Sequence, residues 1–102
     1  MFTQPNARIH AVAAACALSL GAGFDITKGE WLALVLAITL VVGAEALNTA
    51  VELTIDIASP EVRPLARDAK DVAAAAVLLC SIASAIVGAM IFAPRLWQIL
   101  SS

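Results

Sequence analysis

From Trp31 to Ile57 the chain is apolar over the length of a membrane span, yet it carries Glu45, Asn48, Glu52 and Asp56 within that stretch. A helix needs roughly 20 apolar residues to cross a hydrocarbon core about 30 Å thick, which this run supplies. At an advance of about 100° per residue, positions 45, 48, 52 and 56 fall near 0°, 300°, 340° and 20°, a stripe about 80° wide. Three carboxylates and an amide therefore share one helical face. Each ionisable group inside a membrane costs about 2.5 to 3.5 kcal/mol on insertion scales, so a stripe of them points to a use.

Two further apolar segments flank this one, at about residues 9–24 and 72–92. The expected fold is an all-α membrane protein with three transmembrane helices in a single domain over residues 1–102, spans at about 9–24, 31–57 and 72–92. Of the 102 residues, 62% are hydrophobic and the mean hydropathy is +0.95, far from the balance of a water-soluble domain. No segment is long enough for a separate soluble catalytic domain, so any chemistry must use the helices or their ends. Arg8, Arg63, Arg67 and Lys70 fall on one side of a three-span chain, and Lys28 and Arg95 on the other. That bias puts the N-terminus in the cytoplasm and the C-terminus outside. The net charge of −2 gives no reason to expect a nucleic acid partner. Cys16 and Cys80 lie in apolar spans without metal-ligand spacing and read as packing residues. The first segment, led by Arg8 and His10, also has the form of a secretory signal. Its removal would leave the carboxylate stripe fewer neighbours to shield it from lipid, so a retained span is the expectation.

Local signals divide the chain. Pro5 suits a first helical turn, with the first helix starting near Asn6, and Gly21 and Gly23 are expected to loosen its end. Asp25 to Glu30 reads as a short polar turn, with Trp31 and Trp97 as interfacial anchors. Pro60 and Pro64 break the second helix, and Leu65 to Asp71 forms a charged shoulder leading into the third, which is expected to end at Phe92-Ala-Pro94. In the third span, Ser84-x-x-x-Gly88 places small residues where two membrane helices can approach closely.

With Trp31 at the outer interface, a rise of about 1.5 Å per residue sets Glu45 roughly 21 Å inward, Glu52 about 31 Å and Asp56 about 37 Å. The stripe runs from within the cytoplasmic leaflet into the headgroup region, where a soluble anion and a lipid headgroup can meet. Hard cations such as Mg2+ take carboxylate and phosphate oxygens. A carboxylate near a hydroxyl can act as general base. Lys70 and Arg67 are placed to pair with phosphate. Together these are the parts of phosphoryl transfer. Other roles stay open at this level: polar contacts between helices for Glu45, Asn48 and Glu52, solvation for Asp56, snorkelling for Lys70 and Arg67, a helix-start acid for Asp71, and interface positions for Arg8 and His10.

Glu45-Ala-Leu-Asn-Thr-Ala-Val-Glu52 and Ala66-Arg-Asp-Ala-Lys70-Asp71-Val-Ala-Ala-Ala-Ala76-Val77 together resemble the two signature blocks of the bacterial membrane diacylglycerol kinase and undecaprenol kinase family. The likeness extends to Asn6-Ala-Arg8-Ile-His10, Glu30-Trp31 and Phe92-Ala-Pro94. It implies a multi-pass, Mg2+-dependent lipid kinase of the bacterial plasma (inner) membrane, a homotrimer transferring the γ-phosphate of ATP to the hydroxyl of diacylglycerol or undecaprenol. By matching position, Glu45 is the general base and Glu52 a metal ligand. Asn48, Asp56, Lys70, Asp71 and Arg8 bind ATP or phosphate, with Lys70 on the γ-phosphate. Gln4 stands where the family has a second, acidic metal ligand; its amide oxygen can coordinate but brings no charge. About eight residues precede the first span, too few for the amphipathic surface helix that family members carry there. A different class, an ion- or proton-coupled transporter subunit, would also place carboxylates in a span, but nearer the bilayer midplane than most of this stripe.

Overall fold

The computed structural model of the chain describes residues 5–59, 61 and 63–102, the first three of these by backbone alone. These residues form three helices and no strand: α1 (Pro5–Phe24), α2 (Lys28–Ala58) and α3 (Pro64–Leu100). They pack into a rod of 59 × 22 × 20 Å. α2 and α3 are long and apolar enough to cross a membrane. The principal interface is between them, and α1 lies more lightly against the pair.

The corner between α1 and α2 is built by backbone and side chain together. Asp25 takes the left-handed region at φ 52°, the Asp25 N–H donates to Ala22 O and the Ile26 N–H to Gly21 O. This is the Schellman arrangement, which satisfies carbonyls left over at a helix end. Gly21 does not loosen α1, as its sequence context suggests; the helix holds through Phe24. A Cβ on Gly21 would come within 2.9 Å of Trp31 Cη2 and 3.1 Å of Ile26 Cδ1, whereas one on Gly23 would meet nothing within 4 Å. Gly21 is thus the point at which the indole closes over α1. α2 then begins with a capping box: Thr27 Oγ1 accepts from the Glu30 N–H, and the Thr27 N–H donates to Glu30 Oε1.

The buried apolar cluster sits at this same end, from Ile26, Leu34, Ile91 and Phe92, with Phe24, Trp31 and Val87 packed against it. The Phe24 and Phe92 rings lie 6.1 Å apart in a tilted pair. Trp31 is half-buried in that cluster, so it is more than an interfacial anchor, whereas Trp97 is exposed.

α3 departs from expectation at both ends. The charged shoulder from Leu65 to Asp71 is its opening turns, with Pro64 at the start, so Lys70 is rigidly continuous with the apolar part. At the other end the helix passes through Pro94 and ends at Leu100. A proline inside a helix leaves the carbonyl four residues back without its N–H partner and crowds that turn. That carbonyl is Met90 O; the Arg95 guanidinium donates one residue further on, to Ile91 O at 2.6 Å, so it does not replace the lost bond. In the middle of the α2–α3 seam, Ser84 Oγ donates to Ala37 O at 3.0 Å. That close approach matches the small-residue pattern at Ser84 but not at Gly88, beside which a Cβ would find open space.

Candidate active site on α2 and the start of α3

One helical face carries the stripe, and its exposure rises along the helix. Glu45 is 7% exposed, Asn48 and Glu52 are half-buried, and Asp56 is exposed. Thr49, beside Glu45, is also buried and turns its hydroxyl onto Glu45 O at 3.0 Å, so it needs no other partner. The Glu45 carboxylate has no side-chain hydrogen bond among the described residues. It is a buried acid held in place by packing.

Asn48 and Glu52, one turn apart, are joined: Asn48 Nδ2 donates to Glu52 Oε1 at 3.2 Å. Turning the amide round would set its oxygen against a carboxylate oxygen, so an ionised Glu52 fixes its orientation. In that orientation Asn48 Oδ1 is buried with no partner among the described residues. An unsatisfied buried acceptor costs about 1–3 kcal/mol, and one beside two acids is suited to a donor or a cation brought by a ligand.

Toward the end of α2 the stripe reaches α3. Lys70 Nζ donates to Asp56 Oδ1 at 2.6 Å, an ion pair whose side chains are 38% and 61% exposed. Both residues line a cleft of about 230 Å3 with Ile55, Ser59, Glu61, Arg63, Ala66 and Arg67. Three cations against two acids leave this cleft with a formal excess of one positive charge. α3 has no side-chain cap at its first turn, where the helix dipole also favours an anion. The cleft is thus suited to a phosphate chain. Arg63 and Ser59 join it through the turn between helices, a neighbourhood that helical spacing on α2 alone does not reveal.

The other candidates are less tightly gathered. Asp71 is exposed on the first turns of α3 and Arg8 is exposed on α1. Gln4 lies outside the described residues. Among the described residues no three His, Cys, Asp or Glu side chains gather as a metal cluster. On the far side of Asn48, an apolar groove of about 970 Å3 runs between α2 and α3, walled by Leu40, Leu47, Val51, Val72, Ala76 and Cys80 with Asp68 at its polar end. Asn48 therefore stands between a polar face and an apolar trough.

A second polar link between the helices lies at the opposite end, away from the stripe. Arg95 Nη1 and Nη2 donate to Glu30 Oε2 and Oε1 at 2.7 and 2.6 Å, a two-pronged pair with side chains about a quarter exposed. The sequence reading leaves these two as unrelated charges flanking different spans. The cue was available in the Thr27-x-x-Glu30 capping pattern, which ties Glu30 down, and in a lone arginine directly after Pro94.

Residues 1–92 match the family model for prokaryotic diacylglycerol kinase. An undecaprenol kinase of Bacillus subtilis (strain 168) is 39% identical over 94 residues, covering 92% of this chain and 76% of that protein. A diacylglycerol kinase of Synechocystis sp. is 35% identical over 99 residues, covering 96% of this chain and 57% of that protein. The chain thus spans about three quarters of the first relative's length and just over half of the second's.

Proposed function

The chain belongs to the prokaryotic diacylglycerol kinase family, and from that premise we propose that it transfers the γ-phosphate of ATP to the hydroxyl of a membrane lipid alcohol, diacylglycerol or undecaprenol. The observation that carries this reading is the continuous face from buried Glu45 through Asn48 and Glu52 to Asp56, clasped there by Lys70. One end of that face is buried at Glu45, which this reading sets against the lipid hydroxyl, and the other opens into a cleft of net positive charge. The span from position 45 to 56 is about 16 Å along the axis, so in this reading the γ-phosphate lies between the two, where Glu45 and a Lys70 side chain swung up the stripe from Asp56 can both serve it.

In this reading Glu45 takes the proton from the lipid hydroxyl as that oxygen attacks the γ-phosphorus, and the bond from the γ-phosphorus to the β,γ-bridging oxygen breaks to release ADP. Lys70 leaves Asp56 and meets the γ-phosphate, with Arg67, Asp71 and Arg8 as further nucleotide-side residues. Asp56 holds Lys70 ready between turnovers. The donor set fits Mg2+: Glu52 and the unpartnered Asn48 Oδ1 are adjacent hard oxygens, and one or two carboxylates with phosphate oxygens suffice for this ion. Gln4 is the proposed additional, uncharged ligand. Bound there, the cation supplies neutralisation of phosphate charge. The lipid's apolar chains lie along the trough beside Asn48.

The proposed setting is the bacterial plasma membrane, crossed three times, with the N-terminus and the α2–α3 turn cytoplasmic and the C-terminus outside. The proposed assembly is a homotrimer, in which neighbouring copies cover part of the apolar flank of α2 and α3.

The test is phosphoryl transfer from γ-labelled ATP by purified protein in lipid micelles, with diacylglycerol and undecaprenol assayed side by side. The wild type labels one or both lipids, and Glu45→Gln lowers the rate by about 10²- to 10⁴-fold, the usual worth of a general base. Equal rates remove Glu45 from that role. Labelling of neither lipid overturns the kinase reading.

A further inference from the structure

Three polar ties join α2 to α3 along the rod. Lys70 meets Asp56 at the end that holds the cleft, Ser84 meets Ala37 in the middle, and Arg95 meets Glu30 at the opposite end. Between the fork and the Ser84 tie the seam is filled by the cluster of Leu34, Ile91 and Phe92, whereas from Ser84 down to Lys70 α3 contributes no buried residue. A hollow of about 210 Å3, lined by small residues of α1 and α3 and by Leu34, Ile38 and Val41 of α2, lies on one side under α1, and the 970 Å3 trough opens on the other. Smooth walls and open flanks resist axial sliding weakly, because register between helices is set by side chains that fill the facing gaps. Polar pairs therefore add to the Leu34–Ile91–Phe92 cluster in specifying how far along α2 the helix α3 sits.

The three ties are not equivalent. Lys70–Asp56 is a single contact between substantially exposed groups, and a phosphate reaching Lys70 competes directly with Asp56 for it. The Ser84 tie is one neutral hydrogen bond. Glu30–Arg95 is two-pronged, and both partners are held a second time: Glu30 by the Thr27 N–H and Arg95 by Ile91 O. An arginine–carboxylate fork fixes both distance and angle, which a lysine pair does not.

We infer that Glu30 and Arg95 are positioning residues for phosphoryl transfer: their fork locks the axial register of α3 against α2, so that Lys70 stays in place when it exchanges Asp56 for phosphate. The role assigned to Lys70 rests on the kinase reading; the lock itself does not. α3 is one continuous helix from Lys70 to Arg95, so a slide permitted at one end is transmitted to the other. One residue of slippage is about 1.5 Å, comparable with displacements that cost a reaction about 10²-fold.

The lock is tested by spin labels at Thr54→Cys and Ala74→Cys, near the cleft but outside the proposed machinery, in the 102-residue chain with Cys16→Ser and Cys80→Ser. Glu30→Gln removes the charge while its amide oxygen keeps the capping box with Thr27. The expected label-to-label distance distribution is narrow in the parent, in Glu30→Gln and in Lys70→Gln. It is at least about twofold wider in Glu30→Gln/Lys70→Gln, where both ends are released, as coupled rather than independent sites require. A double variant no wider than either single overturns the lock, and so does broadening in Lys70→Gln alone. Arg95→Gln in place of Glu30→Gln repeats the test from the other partner should the first variant fail to insert. In the kinase assay, Glu30→Gln lowers kcat about tenfold or more with KM for the lipid unchanged, the split expected of misplacement; an unchanged kcat overturns the positioning role. A wild type with no kinase activity defeats the functional reading, while the distance measurement still decides the lock.

Discussion

At the scale of single residues, Asn48 is the point where stability and activity pull in opposite directions. Its Oδ1 is buried without a partner among the described residues, beside Glu52 on one side and the apolar trough on the other. Asn48→Leu removes the unsatisfied acceptor at similar volume, so the variant is expected to gain about 1 kcal/mol in unfolding stability while losing at least tenfold in kinase rate. Equal losses of both would make the amide a structural contact only. Gly21 offers the opposite kind of site, where packing alone decides. A methyl there must displace the Trp31 indole or Ile26, whereas at Gly23 it meets open space. Thermal unfolding in detergent should show Gly21→Ala destabilised by about 1–3 kcal/mol, and Gly23→Ala neutral or stabilised by up to about 1 kcal/mol. The stripe itself was legible from the sequence because residues 45, 48, 52 and 56 recur at helical spacing. The partner of Asp56 was not, because Lys70 is 14 residues on and arrives through a turn whose path no periodicity describes.

At the scale of elements, helix starts were easier to read than helix ends. Thr27, with Glu30 three residues later, states the beginning of α2, and Pro64 the beginning of α3. The end of α3 was harder: the helix runs through Pro94 to Leu100, since a proline removes one N–H, the partner of Met90 O, while the turns beyond it keep theirs. The fork links residues 65 positions apart, beyond any local signal. It also carries a pH signature. Hydrogen bonds from Arg95 and then from the Thr27 N–H pull the Glu30 carboxyl from its ordinary value of 4.5 down to about 2, and Glu30 in turn raises Arg95, which stays charged throughout. The unfolded chain therefore takes up a proton near 4.5 that the folded chain refuses until about 2. The stabilisation is complete above 4.5 and is lost as the pH falls toward 2. Unfolding followed from about pH 6 downward should show this acid-linked loss in the wild type, and Glu30→Gln should lack that component while other carboxylates keep theirs. Identical profiles would mean that the fork contributes nothing to folding.

At the scale of the whole molecule, the lengths of the helices decide how the rod can sit in a bilayer. α3 has 37 residues, about 55 Å at 1.5 Å each, so it exceeds a 30 Å hydrocarbon core by about 25 Å. At one end the excess matches the charged Lys70 shoulder; at the other the turns after Pro94 carry Arg95 and Gln98 among exposed Leu96, Trp97, Ile99 and Leu100. α2 and α3 run antiparallel, with Asp56 beside Lys70 and Glu30 beside Arg95, so in the proposed membrane setting the cleft and the fork lie on opposite sides. Large side chains along both, among them Leu36, Leu40, Leu47, Leu78, Leu79 and Met90, are exposed on the single chain and need lipid or a neighbouring copy against them. α1 is the element whose crossing is in question. Its 20 residues reach about 30 Å, just the thickness of the core, and its apolar part from Arg8 to Phe24 is shorter. A helix of that length either spans with little tilt or lies along the surface, and the two arrangements put the N-terminus on opposite sides. Single cysteines at Thr3, Lys28, Ala58 and Ser102, in a chain with Cys16→Ser and Cys80→Ser, separate them through a membrane-impermeant maleimide applied to right-side-out vesicles. Three crossings expose Lys28→Cys and Ser102→Cys at once, with Thr3→Cys and Ala58→Cys reacting only after permeabilisation. Reaction of Thr3→Cys together with Lys28→Cys would lay α1 on the outer surface. Arg8 would then be parted from the phosphate cleft, and the nucleotide side of the site would have to be built from α2 and α3 alone.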